Sequence, residues 1–364
     1  MRVRVVCFVW SALFVIAFSL WNSDCLAADP APSYLEHQNL SYFVDASGQK
    51  QPIKTAADWA QRREHIAAWM QTVMGPLPKP DKPVSLDVKI EEEVSVGELT
   101  RRKISYQTDS TERRVKAFLF LPRVGQVSQP AILCLHQTIG IGKGEPAGLG
   151  GSSNLHYGLH LAQRGYVTLA PDYPSFGEYQ FDFAPAHGYT SGSMKAIYDN
   201  IRAVDLLQSL PEVDKDRIGC IGHSLGGHNT MFTAFFEPRI KCLVSNCGFT
   251  RFHKYYGGAL KGWTSLRYMP LIDSRHHNSP DEVPFDFPEI VAGFAPRPFL
   301  ASSPIGDSNF EVSGVKDSIA SAKPIYELLG ASDALQANYP NCAHDFPEDV
   351  RKVAYDFFDK HLKK

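Results

Sequence analysis

The segment from Arg217 to Gly227, RIGCIGHSLGG, carries the most specific chemical signal in the chain. An apolar run leads into Gly222-His223-Ser224-Leu225-Gly226, and residues of helical character follow. A G-x-S-x-G sequence between a strand and a helix forms a nucleophile elbow. Its glycines are needed because the turn leaves no room for side chains two positions either side of the serine. The turn lifts the Ser224 hydroxyl above the sheet edge, at a helix N-terminus. The free N–H groups and dipole of that helix end favour a developing oxyanion. The chemistry is nucleophilic acyl transfer.

A serine hydroxyl needs a base at neutral pH, and the chain offers 13 histidines. After such an elbow the chain order is an acid, then a histidine following the last strand. His344, in YPNCAHDFP, has that place. His136 and His223 precede or adjoin the serine. His276 and His277 fall in an insertion and lack further ligands for a zinc ion. For the acid, Asp307 follows the strand-like PRPFLASS by a short loop, whereas Asp317 lies in an expected helix and Asp333 in the loop after it. Asp307 is the choice, to hold the imidazole tautomer and offset its charge. The oxyanion hole takes the Leu225 N–H and one from the loop His136-Gln137-Thr138, with Thr138 preferred and Gln137 next. Gly140 to Gly144 lacks the spacing of a phosphate loop, and GLGG at 148–151 lacks the dinucleotide pattern. No metal and no organic cofactor is expected.

These residues need a frame. Apolar spacing predicts a helix over 56–73, and strands over 84–90, 100–106 and 114–121 follow at hairpin spacing. PAILCLH, 130–136, is continuously apolar, as in a strand buried on both faces. Strands over 166–170, 217–221, 240–245, 298–302 and 337–339 then alternate with helices over 153–164, 193–210, 225–236, 314–329 and 347–362. In the last helix Val350, Val353, Ala354, Phe357 and Phe358 are expected to form the buried stripe. The pattern implies an α/β fold: a mostly parallel central sheet with antiparallel N-terminal strands and helices on both faces. Residues 29–83 read as an irregular arm and a helix, and 84–364 as the catalytic domain. Within it, 247–295 interrupts the rhythm with aromatics and prolines and reads as a lid-like insertion.

Apolar residues make up 44% and charged residues 21% of the 364, with a formal net charge of −2. Lys and Arg are dispersed, so no basic stripe supports nucleic-acid binding. The N-terminus runs from Arg2 and Arg4 through an apolar stretch to the small pair Ala27 and Ala28. That order reads as a cleavable signal peptide, 1–28, implying a secreted or periplasmic protein with no stable membrane insertion after cleavage; the alternative is a retained membrane anchor. Cys134, Cys220, Cys242, Cys247 and Cys342 remain in the mature chain. An odd count leaves at least one thiol unpaired. They read as buried small hydrophobes, with a Cys247–Cys342 disulfide as the alternative.

Taken together, LCLHQT, APDYPSFGE, GHSLGGH, APRPFL with GDSNF, and AHDFP resemble the dienelactone-hydrolase and acetyl-xylan-esterase-like branch of the α/β-hydrolases. The matching pieces span about 115–362. The resemblance implies an α/β-hydrolase fold, a Ser224-Asp307-His344 triad, and Thr138 with Leu225 as oxyanion donors. This chain departs from the branch in having His136-Gln137 where most members have His-Gly. It also has Ser224 where dienelactone hydrolase itself has cysteine. The expected function is a secreted serine esterase acting on a small-molecule or carbohydrate ester, such as an acetylated sugar. The alternatives are a prolyl-oligopeptidase-like serine peptidase, and a non-catalytic binding protein on a hydrolase fold.

Overall fold

The computed structural model describes residues 31–110, 113–122, 128–183 and 187–363. The expected signal peptide, 1–28, lies outside them. A nine-stranded sheet is built from β3 (Lys89–Val96), β4 (Leu99–Gln107), β5 (Arg114–Pro122), β6 (Gln129–Leu135), β7 (Val167–Pro171), β8 (Val213–His223), β9 (Ile240–Asn246), β10 (Phe299–Ser302) and β11 (Leu335–Asn338). Its order is β11-β10-β9-β8-β6-β7-β5-β4-β3. β3, β4 and β5 pair antiparallel, and β5 pairs antiparallel with β7. From β7 through β6 to β11 every pairing is parallel. This is the α/β-hydrolase sheet, with its antiparallel strands at the N-terminal edge.

The period-2 geometry of a strand sends alternate residues to opposite faces. In β6, Ala131, Leu133 and Leu135 join one core, with Met231 and Phe232 of α4 (Leu225–Phe236) and Ile197 of α3 (Gly192–Ser209). Ile132 and Cys134 join the other, with Leu161 of α2 (Tyr157–Gln163) and Phe357 and Phe358 of α8 (Glu348–Leu362). The first layer also takes α1 (Ala56–Met74), α6 (Phe287–Ala292) and α7 (Val312–Leu328). A Thr55/Asp58 capping box starts α1, satisfying otherwise orphaned N–H groups.

Three expectations need correction. Part of the arm forms a small antiparallel sheet, β1 (Tyr42–Val44) with β2 (Lys50–Pro52). The strand placed at 84–90 begins only at Lys89. Val353 is 44% exposed, and Tyr355 takes part in the buried face of α8 instead. All five described cysteines are free, as the buried-hydrophobe reading expects, although Cys342 is only half-buried. The insertion is irregular: two 3-10 segments, Phe252–Gly258 and Leu260–Trp263, then α5 (Leu271–Ser274) and α6.

Candidate active site

β8 ends at His223 and α4 begins at Leu225, leaving Ser224 alone on the bend. Its φ of 53° and ψ of −116° lie where side chains carry strain of order 1–3 kcal/mol. The surroundings hold it there. The Ser224 N–H donates to the Asn246 carbonyl at 3.0 Å, and its carbonyl accepts from the Gly227 N–H at 2.9 Å. Close packing explains the glycines. A Cβ at Gly222 would lie 2.1 Å from the Gly226 carbonyl oxygen, and one at Gly226 would lie 1.8 Å from that of Leu135. As the first residue of α4, Leu225 carries an N–H with no partner inside the helix.

Asp307 follows β10, and His344 lies between β11 and α8. His344 Nδ1 and Asp307 Oδ2 are 2.9 Å apart. The other carboxylate oxygen accepts the N–H groups of Asn309 at 2.8 Å and Phe310 at 3.1 Å. The Asp307 side chain is buried, and that of His344 is 20% exposed. An acceptor at Nδ1 fixes the proton there and leaves Nε2 free to take one.

The loop after β6 supplies a further geometric point. The buried His136 ring bridges two peptide groups: Nε2 meets the Tyr173 N–H at 2.9 Å, and Nδ1 the Gln137 carbonyl at 2.5 Å. A backbone N–H can only donate, so Nε2 accepts and Nδ1 donates. The Gln137 carbonyl therefore turns towards the buried ring. In a trans peptide the Thr138 N–H points the opposite way. The Gln137 side chain is tied instead to the buried Glu145, at 2.8 Å.

Ser224, Leu225, Gln137, Thr138 and His344 line one pocket of about 270 Å³. Asp307 stands behind it, bonded to His344. A larger groove of about 670 Å³ lies between the arm and α7 and contains none of these groups. The insertion supplies one wall of the smaller pocket: Tyr255, Tyr256, Gly262, Trp263 and Tyr268. Tyr256, with φ 45°, donates its hydroxyl to Asn309 across the rim. Phe249 and Phe252, from the same stretch, pack into the core against Phe287. Among the described residues lining the pocket there is no Lys, Arg, Asp or Glu.

Sequence reasoning missed His228, which lines this pocket, and the role of His136 as a brace. The signal for His228 was its spacing, four residues after Ser224 and so on the same helix face. His223 packs against the catalytic candidate, with ring centroids of His223 and His344 4.7 Å apart. Burial, then the neighbouring His344, holds its pKa well below the usual imidazole range. Donor atoms of His223, Cys247 and His344 lie within 4.8 Å of one another. Two of those groups are already engaged, since His344 Nδ1 faces Asp307 and His223 Nδ1 faces Asn246 Nδ2 at 2.7 Å. Burial, and next Asp307, pushes the Cys247 thiol well up, favouring a protonated sulfur over a metal-ligating thiolate. The cluster is better explained as packing around the imidazole.

Comparison with known proteins agrees with this architecture. YtaP of Bacillus subtilis (strain 168), described as a hydrolase, is 27% identical over 261 residues, covering 68% of this chain and 84% of its own. The glucuronoyl esterase from Solibacter usitatus superposes with a TM-score of 0.69 at 20% identity, over 92% of this chain and 99% of that one. A structure from Bacteroides fragilis NCTC 9343 described as an acetyl xylan esterase gives 0.60 at 18% identity, over 88% and 93%. At such identities the structures speak for the fold. Residues 154–364 match the family model described as the prolyl oligopeptidase family. That span covers more than half of the chain, from α2 through the elbow to α8. The chain belongs to the prolyl oligopeptidase family, within the α/β-hydrolase superfamily.

Proposed function

We propose that the chain is an exported serine esterase that cleaves a small neutral ester of an acylated carbohydrate. Ser224 attacks the carbonyl while His344 Nε2 takes its proton, and Asp307 offsets the imidazolium charge. The N–H groups of Leu225 and Thr138 hold the oxyanion. The alcohol leaves with the proton from His344, and water then repeats the cycle on the acyl-enzyme. No cofactor takes part in these steps. In this reading 1–28 is the export signal, 29–83 an arm and helix, and 84–364 the catalytic domain with its insertion at 247–295.

The observation that carries the reading is the Asp307–His344 bond at a pocket that also holds a serine on a strained elbow. The uncharged, aromatic lining suits a neutral sugar ester. The names of the glucuronoyl and acetyl xylan esterases among the similar structures lend the substrate class further support. The family's name favours a second reading, a peptidase. Turnover of acetylated sugars, methyl uronates, aryl esters and a peptide anilide by wild type and Ser224→Ala separates the two. We expect ester cleavage, little on the anilide, and a loss of about 10⁴-fold or more in the variant. Equal turnover by the variant, or anilide cleavage alone, contradicts the proposal.

A further inference from the structure

α4 carries a second histidine at the candidate site. His228 lies one turn beyond Ser224, and its imidazole lines the same pocket. It is 8% exposed, and its Nδ1 is buried with no hydrogen-bond partner among the described residues. Buried polar groups are normally paired, and an orphan in a binding pocket needs a reason. Trp263, whose ring centroid lies 4.7 Å from that of His228, has the same property: its indole nitrogen is buried and unpartnered. Two orphaned polar atoms therefore belong to neighbouring rings that line one cavity otherwise rich in aromatic rings.

We propose that His228 is a substrate-binding residue that hydrogen-bonds a ring hydroxyl next to the scissile ester, making the site selective for hydroxylated, sugar-like esters. The inference rests on the esterase reading and deepens it. An indole N–H only donates, whereas a neutral imidazole nitrogen donates or accepts according to its tautomer. A hydroxyl does both, so one hydroxyl oxygen can accept from Trp263 while it exchanges a proton-bearing contact with His228. Burial lowers the His228 pKa to about 3, with the Gly248 carbonyl pulling the other way. The imidazole is thus neutral at working pH, which suits a neutral hydroxyl better than a carboxylate. Ser224 and His228 line the same pocket, so this contact falls near the nucleophile. Tyr268 and Phe310, with ring centroids 6.4 and 6.5 Å from His228, complete an apolar surround in which one such bond discriminates strongly.

The hydroxyl can belong to the alcohol side, as in an acetylated xyloside, or to the acyl side, as in the methyl ester of a glucuronic acid. Matched pairs decide it: each ester and the analogue lacking the hydroxyl adjacent to the ester-bearing carbon, assayed with wild type, His228→Leu and His228→Gln. We expect wild type to prefer the hydroxylated member of at least one pair. His228→Leu should lower that kcat/KM ratio about 10-fold or more, mainly through KM. Glutamine, which both donates and accepts, should retain part of it. The pair that responds identifies the side. Wild type treating both members of both pairs alike overturns the proposal, as does an unchanged ratio in His228→Leu. Should the leucine variant not fold, the wild-type preference and the glutamine variant decide. Failure of wild type to cleave any ester removes the esterase reading itself, and this inference with it. Cleavage without hydroxyl preference removes this inference alone.

Discussion

At the scale of single residues, the account assigns distinct tasks to groups that the fold brings from distant parts of the chain. Asp307 uses one carboxylate oxygen for two backbone N–H groups and the other for His344. Asp307→Asn keeps the shape and removes the charge that fixes the tautomer. We expect kcat to fall by about 10⁴ on the best ester with little change in melting temperature. A loss below 10-fold would assign the role elsewhere. The convergence of His344, Asp307 and Ser224 on one place was legible because elbow, strand and loop order constrain where they lie. His228 was not: a histidine on an apolar helix is usually core, its spacing of four from Ser224 does not separate the two roles, and the burial of its unpartnered nitrogen beside Trp263 is what marks it out. Nor could the sequence sort the aromatics of the insertion. Phe249 and Phe252 enter the core, while Tyr255, Tyr256, Trp263 and Tyr268 line the pocket, and no periodicity in an irregular segment separates them.

At the scale of elements, the parallel strands were readable because burial on both faces makes them continuously apolar. β3 was not, because its residues Glu91, Glu92 and Glu93 are exposed on an edge strand. They pair with Arg101 and Arg102 on the adjacent β4 and with Lys116 on β5 beyond it, a pattern without hydrophobic alternation. The arm is pinned by a buried cluster that sequence alone does not reveal. Glu289 of α6 takes Arg62 of α1 at 2.5 Å and His37 of the arm at 2.9 Å. The other ring nitrogen of His37 faces the Val283 carbonyl at 3.1 Å, so both nitrogens donate and the ring is charged. Burial opposes that charge, but Glu289 outweighs it and raises the His37 pKa. Glu289→Gln leaves two buried cations without their carboxylate and should cost about 3–5 kcal/mol. The His37 contribution is complete below about pH 6.5, its unfolded pKa, and is lost as pH rises through the raised folded value. Denaturant unfolding of His37→Gln should therefore differ most from wild type at mildly acidic pH and converge with it in alkali. A difference that grows with pH would contradict this assignment.

At the scale of the whole molecule, the same linkage runs the other way for three of the four buried histidines. Burial lowers the pKa of His136, His223 and His228, with Asp172 opposing the shift at His136 and His344 adding to it at His223. Their folded pKa values lie below the unfolded ones, so the unfolded chain binds more protons in acid. Stability from these groups is complete above about pH 6.5 and falls as pH drops, by at most about 1.4 kcal/mol per pH unit for each histidine. Unfolding free energies measured from pH 8 to pH 5 should show that decline, and a flat profile would mean these rings titrate normally. Two of the three histidines line or adjoin the candidate site, so the packing that shapes the pocket also sets the acid limit of the fold.

The central claim is that one serine out of the whole chain is activated by one imidazole. Fluorophosphonate labelling followed by peptide mass mapping measures this directly. We expect a single phosphonyl adduct on Ser224, none in Ser224→Ala, and labelling slowed by orders of magnitude in His344→Ala. An adduct on another residue, or wild-type labelling of Ser224 without His344, would contradict the account.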